Sequence, residues 1–172
     1  AGKLQQRDDL PPLIEAELNW IIGVSYRSMM EPRRALPFLQ RAHDIRSREL
    51  PSHHEDSLDA MNSLAVAYLG LDEFQHALDL CEEAVEIATV AFGPTDLGVL
   101  KLQLGLADTL RIRGDLPNAI ALIEETLQLQ QIHHPSDSEL HSRLLAGLAE
   151  AYWDSGDLQR AHRLSQQNID YC

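Results

Sequence analysis

The chain has 172 residues, 44% of them hydrophobic and 24% charged, with a net charge of -13, ample apolar material for one buried core. No apolar run reaches the roughly 18 residues needed to cross a bilayer, and no basic segment followed by an apolar stretch marks export. Residues 51–100 carry ten acidic and no basic side chains, a block that repels phosphate backbones and excludes nucleic acid as the main ligand.

Residues 1–9 fall in register with residues 43–51, 85–93 and 127–135 and read as the tail of a preceding helix. Leu10-Pro11-Pro12 breaks the chain. Leu13 to Ser28 is then predicted as a helix, with Ile14, Leu18, Ile21, Ile22 and Tyr26 spaced for one buried side. Pro32 opens a partner helix, because a first-turn residue has no use for its N–H; Ala35, Leu36, Leu39, Ala42 and Ile45 form its apolar stripe. The pair makes a first repeat over 13–50. A second over 55–92 ends at Gly93-Pro94, where glycine can take a left-handed turn and proline stops the helix. A third over 97–133 turns at Gly114-Asp115, and a fourth over 138–172 turns at Ser155-Gly156-Asp157. Asp115 and Asp157 are expected to cap the helices that follow them.

The four units repeat at a constant step of 42 residues without insertion or deletion. Gly23, Ala65, Ala107 and Ala149 form a small column on the first helices, and Ala35, Ala77, Ala119 and Ala161 form one on the second. Small side chains of this kind let helix axes approach to about 8 Å. Tyr26, Tyr68, Leu110 and Tyr152 fill the space where the helices diverge. A third small column runs Ala42, Ala84, Thr126, Asn168, and its two polar replacements predict looser packing toward the C-terminus. The fold expected is all-α, a superhelical solenoid of four helical hairpins.

Leu64-Ala65 with Tyr68, and Leu148-Ala149 with Tyr152, Gly156, Asp157 and Ala161, carry a pattern that resembles the tetratricopeptide repeat (TPR). The 42-residue step and the Gly-Pro or His-Pro junctions are similar to the kinesin-light-chain type of TPR array. The resemblance implies a right-handed superhelix whose first helices line a concave, peptide-binding groove. The groove-facing residues it implies are Glu17, Trp20, Val24 and Arg27; Asp59, Asn62, Val66 and Leu69; Lys101, Leu104, Asp108 and Arg111; and Arg143, Ala146, Glu150 and Trp153. These differ from repeat to repeat while the packing columns do not. Of the paired asparagines that kinesin light chains place in this helix, Asn62 alone is kept, followed by Ser63. Lys101, Arg111 and Arg143 are candidates to meet an acidic ligand, arginine being a planar two-pronged donor; alternatively they pair with Asp108 and Glu150. Trp20 and Trp153 are candidate anchors, or else covers for neighbouring helices.

No Gly-rich phosphate loop, H-E-x-x-H or paired-cysteine zinc pattern is present. His53-His54 and His133-His134 lie in junctions two repeats apart and read as surface loop residues. Cys81 lies in an apolar column and Cys172 is the last residue, so no disulfide is expected and a reducing cytoplasm is the expected location. The reading is a non-catalytic protein-interaction module without cofactor or metal, taking a protein or peptide ligand of acidic character and no membrane. The alternatives are homo-oligomeric self-assembly through the terminal repeats, since the last hairpin lacks an extra capping helix, and a regulatory TPR region of a larger signalling protein.

Overall fold

Prolines, glycines and short polar turns cut the chain into helices of 14 to 19 residues. The computed structural model describes residues 10–171; residues 1–9, expected to be the tail of a preceding helix, and Cys172 lie outside them. The helices are α1 Pro12–Ser28, α2 Pro32–Glu49, α3 Glu55–Leu69, α4 Phe74–Phe92, α5 Leu97–Arg113, α6 Leu116–His133, α7 Ser138–Asp154 and α8 Leu158–Tyr171. No strand occurs among the described residues. Each helix packs on the next, giving four stacked hairpins, the all-α solenoid expected from the repeat.

Every hairpin turn has one residue in the left-handed region, and these recur at the same step: Met30 (φ 59°), Asp72 (φ 61°), Gly114 (φ 92°) and Gly156 (φ 85°). The following N–H closes the turn by donating five residues back, from Glu31 to Tyr26, Glu73 to Tyr68, Asp115 to Leu110 and Asp157 to Tyr152, at 2.9–3.0 Å. This is the helix C-terminal motif that glycine adopts without strain and that a side chain opposes. Three of the four first helices, α3, α5 and α7, are capped at their starts by side chains, whereas α1 begins at Pro11 with none. His54 accepts from the Asp56 N–H, Asp96 from Gly98 and Val99, and Asp137 from Leu140. Of the two expected caps, Asp157 accepts from the Arg160 N–H, whereas Asp115 does not cap α6. Its carboxylate takes hydrogen bonds from the Arg113 and Asn118 side chains instead.

Both small columns are buried where helices cross. A Cβ added at Gly23 would lie 2.6 Å from the Leu39 side chain. One expectation fails outright and a second in part. The apolar face of α1 (Ile14, Leu18, Ile21, Ile22) is largely exposed, because no helix among the described residues covers it. Packing stays tight through α7, where the largest cluster of buried residues joins Leu100, Leu104, Ile123, Leu140, Leu144 and Leu148 of α5–α7, whereas α8 buries only Ala161 among the residues whose burial is described and leaves Leu158 and Ile169 exposed. Thr126 is fully buried with its hydroxyl donating to the Leu122 carbonyl at 2.7 Å, and Asn168 exchanges hydrogen bonds with Ser142.

The first helices also touch one another across hairpins (α1 with α3, α3 with α5, α5 with α7), while no such contact joins α2, α4, α6 and α8 among the described residues. The stack therefore curves with the first helices inside. The close approach rests on a small column at Ser63, Gly105 and Gly147. A Cβ on Gly105 would stand 3.1 Å from Asn62 Oδ1, and one on Gly147 3.4 Å from the Leu104 side chain.

Candidate functional site

The inner wall is built from residues that fall on the inside of α1, α3, α5 and α7, and the contacts between those helices occupy some of them. Trp20 is half-buried; its indole N–H donates to Ser63 Oγ at 3.0 Å and the Arg46 guanidinium lies 5.4 Å from its ring. Trp20 is thus a cover for α3, the alternative weighed for it. Leu104 is buried and seated on Gly147, so it belongs to the core rather than to an open groove. Leu69 is half-buried against the Ala65, Ala77 and Cys81 cluster. Arg27 is half-buried without an ion-pair partner among the described residues, and burial lowers its pKa.

The three candidate cations separate. Arg111 is enclosed by this chain's own carboxylates: Glu150 at 2.8 Å, Asp154 at 2.9 Å and Asp108 at 4.0 Å. Its Nε is buried without a hydrogen-bond partner. Burial pushes the Asp108 carboxyl above the usual carboxylate range, against the opposing pull of Arg111. Arg111 therefore follows the internal-pairing alternative, with Asp154 as a partner not foreseen. Lys101 and Arg143 are exposed and make no ion pair among the described residues.

Two clefts open on this wall. One, of about 510 Å³, is lined by Asp59, Asn62, Lys101 and Arg143 over apolar groups including Leu58 and Phe92. Burial raises the Asp59 carboxyl, with Glu55 adding to the effect. The other, of about 540 Å³, lies toward α8 and brings Arg111, Glu150 and exposed Trp153 together with His162 and Ile169.

Arg46 went unseen in the sequence. It is buried on α2, pairs with Glu17 at 2.6 Å and donates to the Asp56 carbonyl, tying α1, α2 and α3 together behind the wall. The signal was there, for Arg46 shares a column with Ala88 and Gln130, and all three are buried. Gln130 does the same work two junctions on, donating to the His134 and Asp137 carbonyls and contacting His141. His134 is not a free loop residue; its Nε2 lies 2.7 Å from the Thr95 carbonyl. No group of three or more metal-ligating side chains occurs among the described residues. No helix among them is long and apolar enough to cross a membrane.

A family model for the MalT-like TPR region matches residues 49–172. The chain belongs to that family. Solved structures share the fold of this MalT-like TPR chain. One is a protein of Podosopora anserina assigned as a kinesin light chain with nearly identical TPR-like repeats (TM-score 0.75, 24% identity, covering 91% of this chain and 74% of that one). Another is BtubC (BKLC) from P. vanneervenii (0.78, 20%, 97% and 66%). A third is the Rap conjugation gene regulator of the plasmid pLS20, solved in complex with the Phr* peptide (0.77, 17%, 98% and 48%). No curated protein gives a significant sequence match. The fold likeness, together with the family match, makes the chain a TPR repeat module.

Proposed function

We propose that the inner wall of α1, α3, α5 and α7 binds an extended segment of a partner protein, without catalysis. The observation that carries this reading is the convergence of Asp59, Asn62, Lys101 and Arg143 on one cleft. All four lack a hydrogen-bonding or ion-pair partner among the described residues, at positions that vary between repeats. Groups left open on a stacked, preorganised scaffold gain by meeting a ligand, because little ordering cost remains to be met on binding. The peptide bound by the Rap regulator supports the same mode by analogy of fold. Buried, unpaired Cys81 is consistent with a reducing, cytoplasmic setting.

The test is site-specific photo-crosslinking in cells. A benzophenone side chain at Val66, exposed on the inner wall, is expected to give partner adducts, whereas one at Val90, exposed on α4, is not. Adducts of equal yield from both positions remove the inner wall from the account.

A second reading, self-association through the first hairpin, is favoured by the exposed α1 face. Sedimentation velocity decides it. A mass that rises with concentration supports it, and a concentration-independent monomer excludes it.

A further inference from the structure

We infer that the cleft between α3, α5 and α7 selects an extended segment bearing opposite charges in a set order: a basic side chain over α3, then acidic side chains over α5 and α7. This rests on the peptide-binding reading above and adds the ligand's chemistry to it. The positions one step apart on the inner wall are Glu17, Asp59, Lys101 and Arg143, so the sign of the wall reverses between α3 and α5. Glu17 is neutralised by Arg46. Asp59 is not. Its neighbour one turn back, Glu55, has the same sign, and Arg46, the cation that acts on it, is already engaged by Glu17 and the Asp56 carbonyl.

Asp59 and Lys101 line one cavity without pairing to each other, and Arg143, Glu55 and Asp96 line it too, Asp96 being engaged by the Gly98 and Val99 N–H groups at the start of α5. Farther along the wall the outcome is the opposite, since Arg111 gathers carboxylates from its own helix and the next. Isolated charges on an open surface only solvate. Asp59, Lys101 and Arg143 are exposed but share one cavity with Leu58 and Phe92, so a segment lying in it meets all three charges at once. Asn62 lies in the same cavity with its amide unbonded. That group can donate to a ligand carbonyl and accept from a ligand N–H, as recognition of an extended backbone requires.

The spacing follows from the scaffold. Neighbouring first helices stand about 10 Å apart, and an extended chain advances about 3.3 Å per residue, so three residues of ligand span one helix step. The matching segment has a basic residue at position i and acidic residues at i+3 and i+6. A segment with three acids brings a carboxylate against Asp59 and Glu55. A segment with the basic residue in the middle faces Lys101 with the wrong sign at α5 and leaves Asp59 facing an acid.

The experiment uses three fluorescein-labelled nine-residue peptides in a Ser/Ala background, with charged residues at positions 2, 5 and 8: Lys-Glu-Glu, Glu-Lys-Glu and Glu-Glu-Glu. Binding to the 172-residue chain is followed by fluorescence anisotropy. The Lys-Glu-Glu peptide is expected to bind at least about tenfold tighter than either other peptide. Lys101→Glu and Asp59→Lys are each expected to remove that preference with unchanged helical circular dichroism. The triple variant Asp59→Lys, Lys101→Glu, Arg143→Glu is expected to transfer the preference to a Glu-Lys-Lys peptide. If the all-acidic peptide binds as well as Lys-Glu-Glu, or no peptide in the set is preferred, the charge order is wrong. The peptide-binding reading stands or falls separately, by the crosslinks from Val66 against Val90.

Discussion

The first hairpin and the last carry the same pattern and meet opposite fates. Ile14, Leu18 and Ile22 on α1 occupy the columns of Leu140, Leu144 and Leu148 on α7. The α1 residues are 50%, 45% and 40% exposed, and their α7 counterparts 1%, 0% and 4%. The difference is the neighbour, for α7 packs on α5 and α6, whereas no described helix precedes α1. In a stacked array, burial belongs to the interface between units rather than to the unit. The largest predicted contrast follows. Leu144→Ala is expected to cost about 3 kcal/mol through lost transfer energy and a residual cavity, and Leu18→Ala less than about 1 kcal/mol. Urea unfolding midpoints at unchanged slope measure both; equal losses would mean that α1 is covered in solution.

The same contrast holds for charge. Arg27 and Arg111 share a column, but α1 and α3 offer Arg27 no ion-pair partner among the described residues, while Arg111 has three carboxylates around it. Arg111→Glu would place four carboxylates together with one of them, Asp108, already raised by burial. The expected loss is about 2 kcal/mol, since removing one partner leaves the others uncompensated. Arg27→Glu is expected to stay within about 0.5 kcal/mol. The Arg111 variant therefore reports on wall integrity before it reports on any ligand, so Lys101 and Arg143 are the residues on which to test binding.

Gly23 and Ala149 share the small column of the first helices. Alanine is the better helix former by about 1 kcal/mol, yet Gly23→Ala drives a Cβ to 2.6 Å from the Leu39 side chain. Overpacking of this kind costs about 1–3 kcal/mol, so the net change is expected to be a loss of about 1 kcal/mol by thermal or urea unfolding. A stabilised variant would mean that Leu39 yields freely.

The hairpins, their turns and the packing columns were legible in the sequence because they repeat, and a constant step reveals them without any knowledge of contacts. The first-helix wall was legible only as a set of candidates. Which of them are used internally depends on a second offset: Trp20 bonds Ser63 and Arg111 bonds Asp154, each 43 residues on. Asn62 meets Gly105 and Leu104 meets Gly147 at the same separation. That is one step plus one residue, the stagger of neighbouring first helices, and a search for columns at the step alone passes over it. Reading Leu104 and Trp20 as groove residues and missing Asp154 have this one cause. Arg46 was missed for a different reason, because a charged residue in a buried column reads as solvent-facing until its partners Glu17 and the Asp56 carbonyl are seen.

The hairpin turns give the finest form of the comparison. Met30 and Gly156 hold the same left-handed place in the first and last turns, so one site carries the Cβ penalty that the other avoids. Met30 is also exposed, and its side chain contributes little packing in return. Met30→Gly removes a strain of about 1–2 kcal/mol but frees the unfolded chain, which offsets up to about 1 kcal/mol. The net gain is expected to be about 0.5 kcal/mol. The reverse change, Gly156→Met, is expected to cost about 1 kcal/mol in the same urea titration, so opposite signs at two positions of one column isolate the backbone contribution. If both changes destabilise, the turn residue acts through its side chain rather than its φ, and the equivalence of the first and last turns fails at that point.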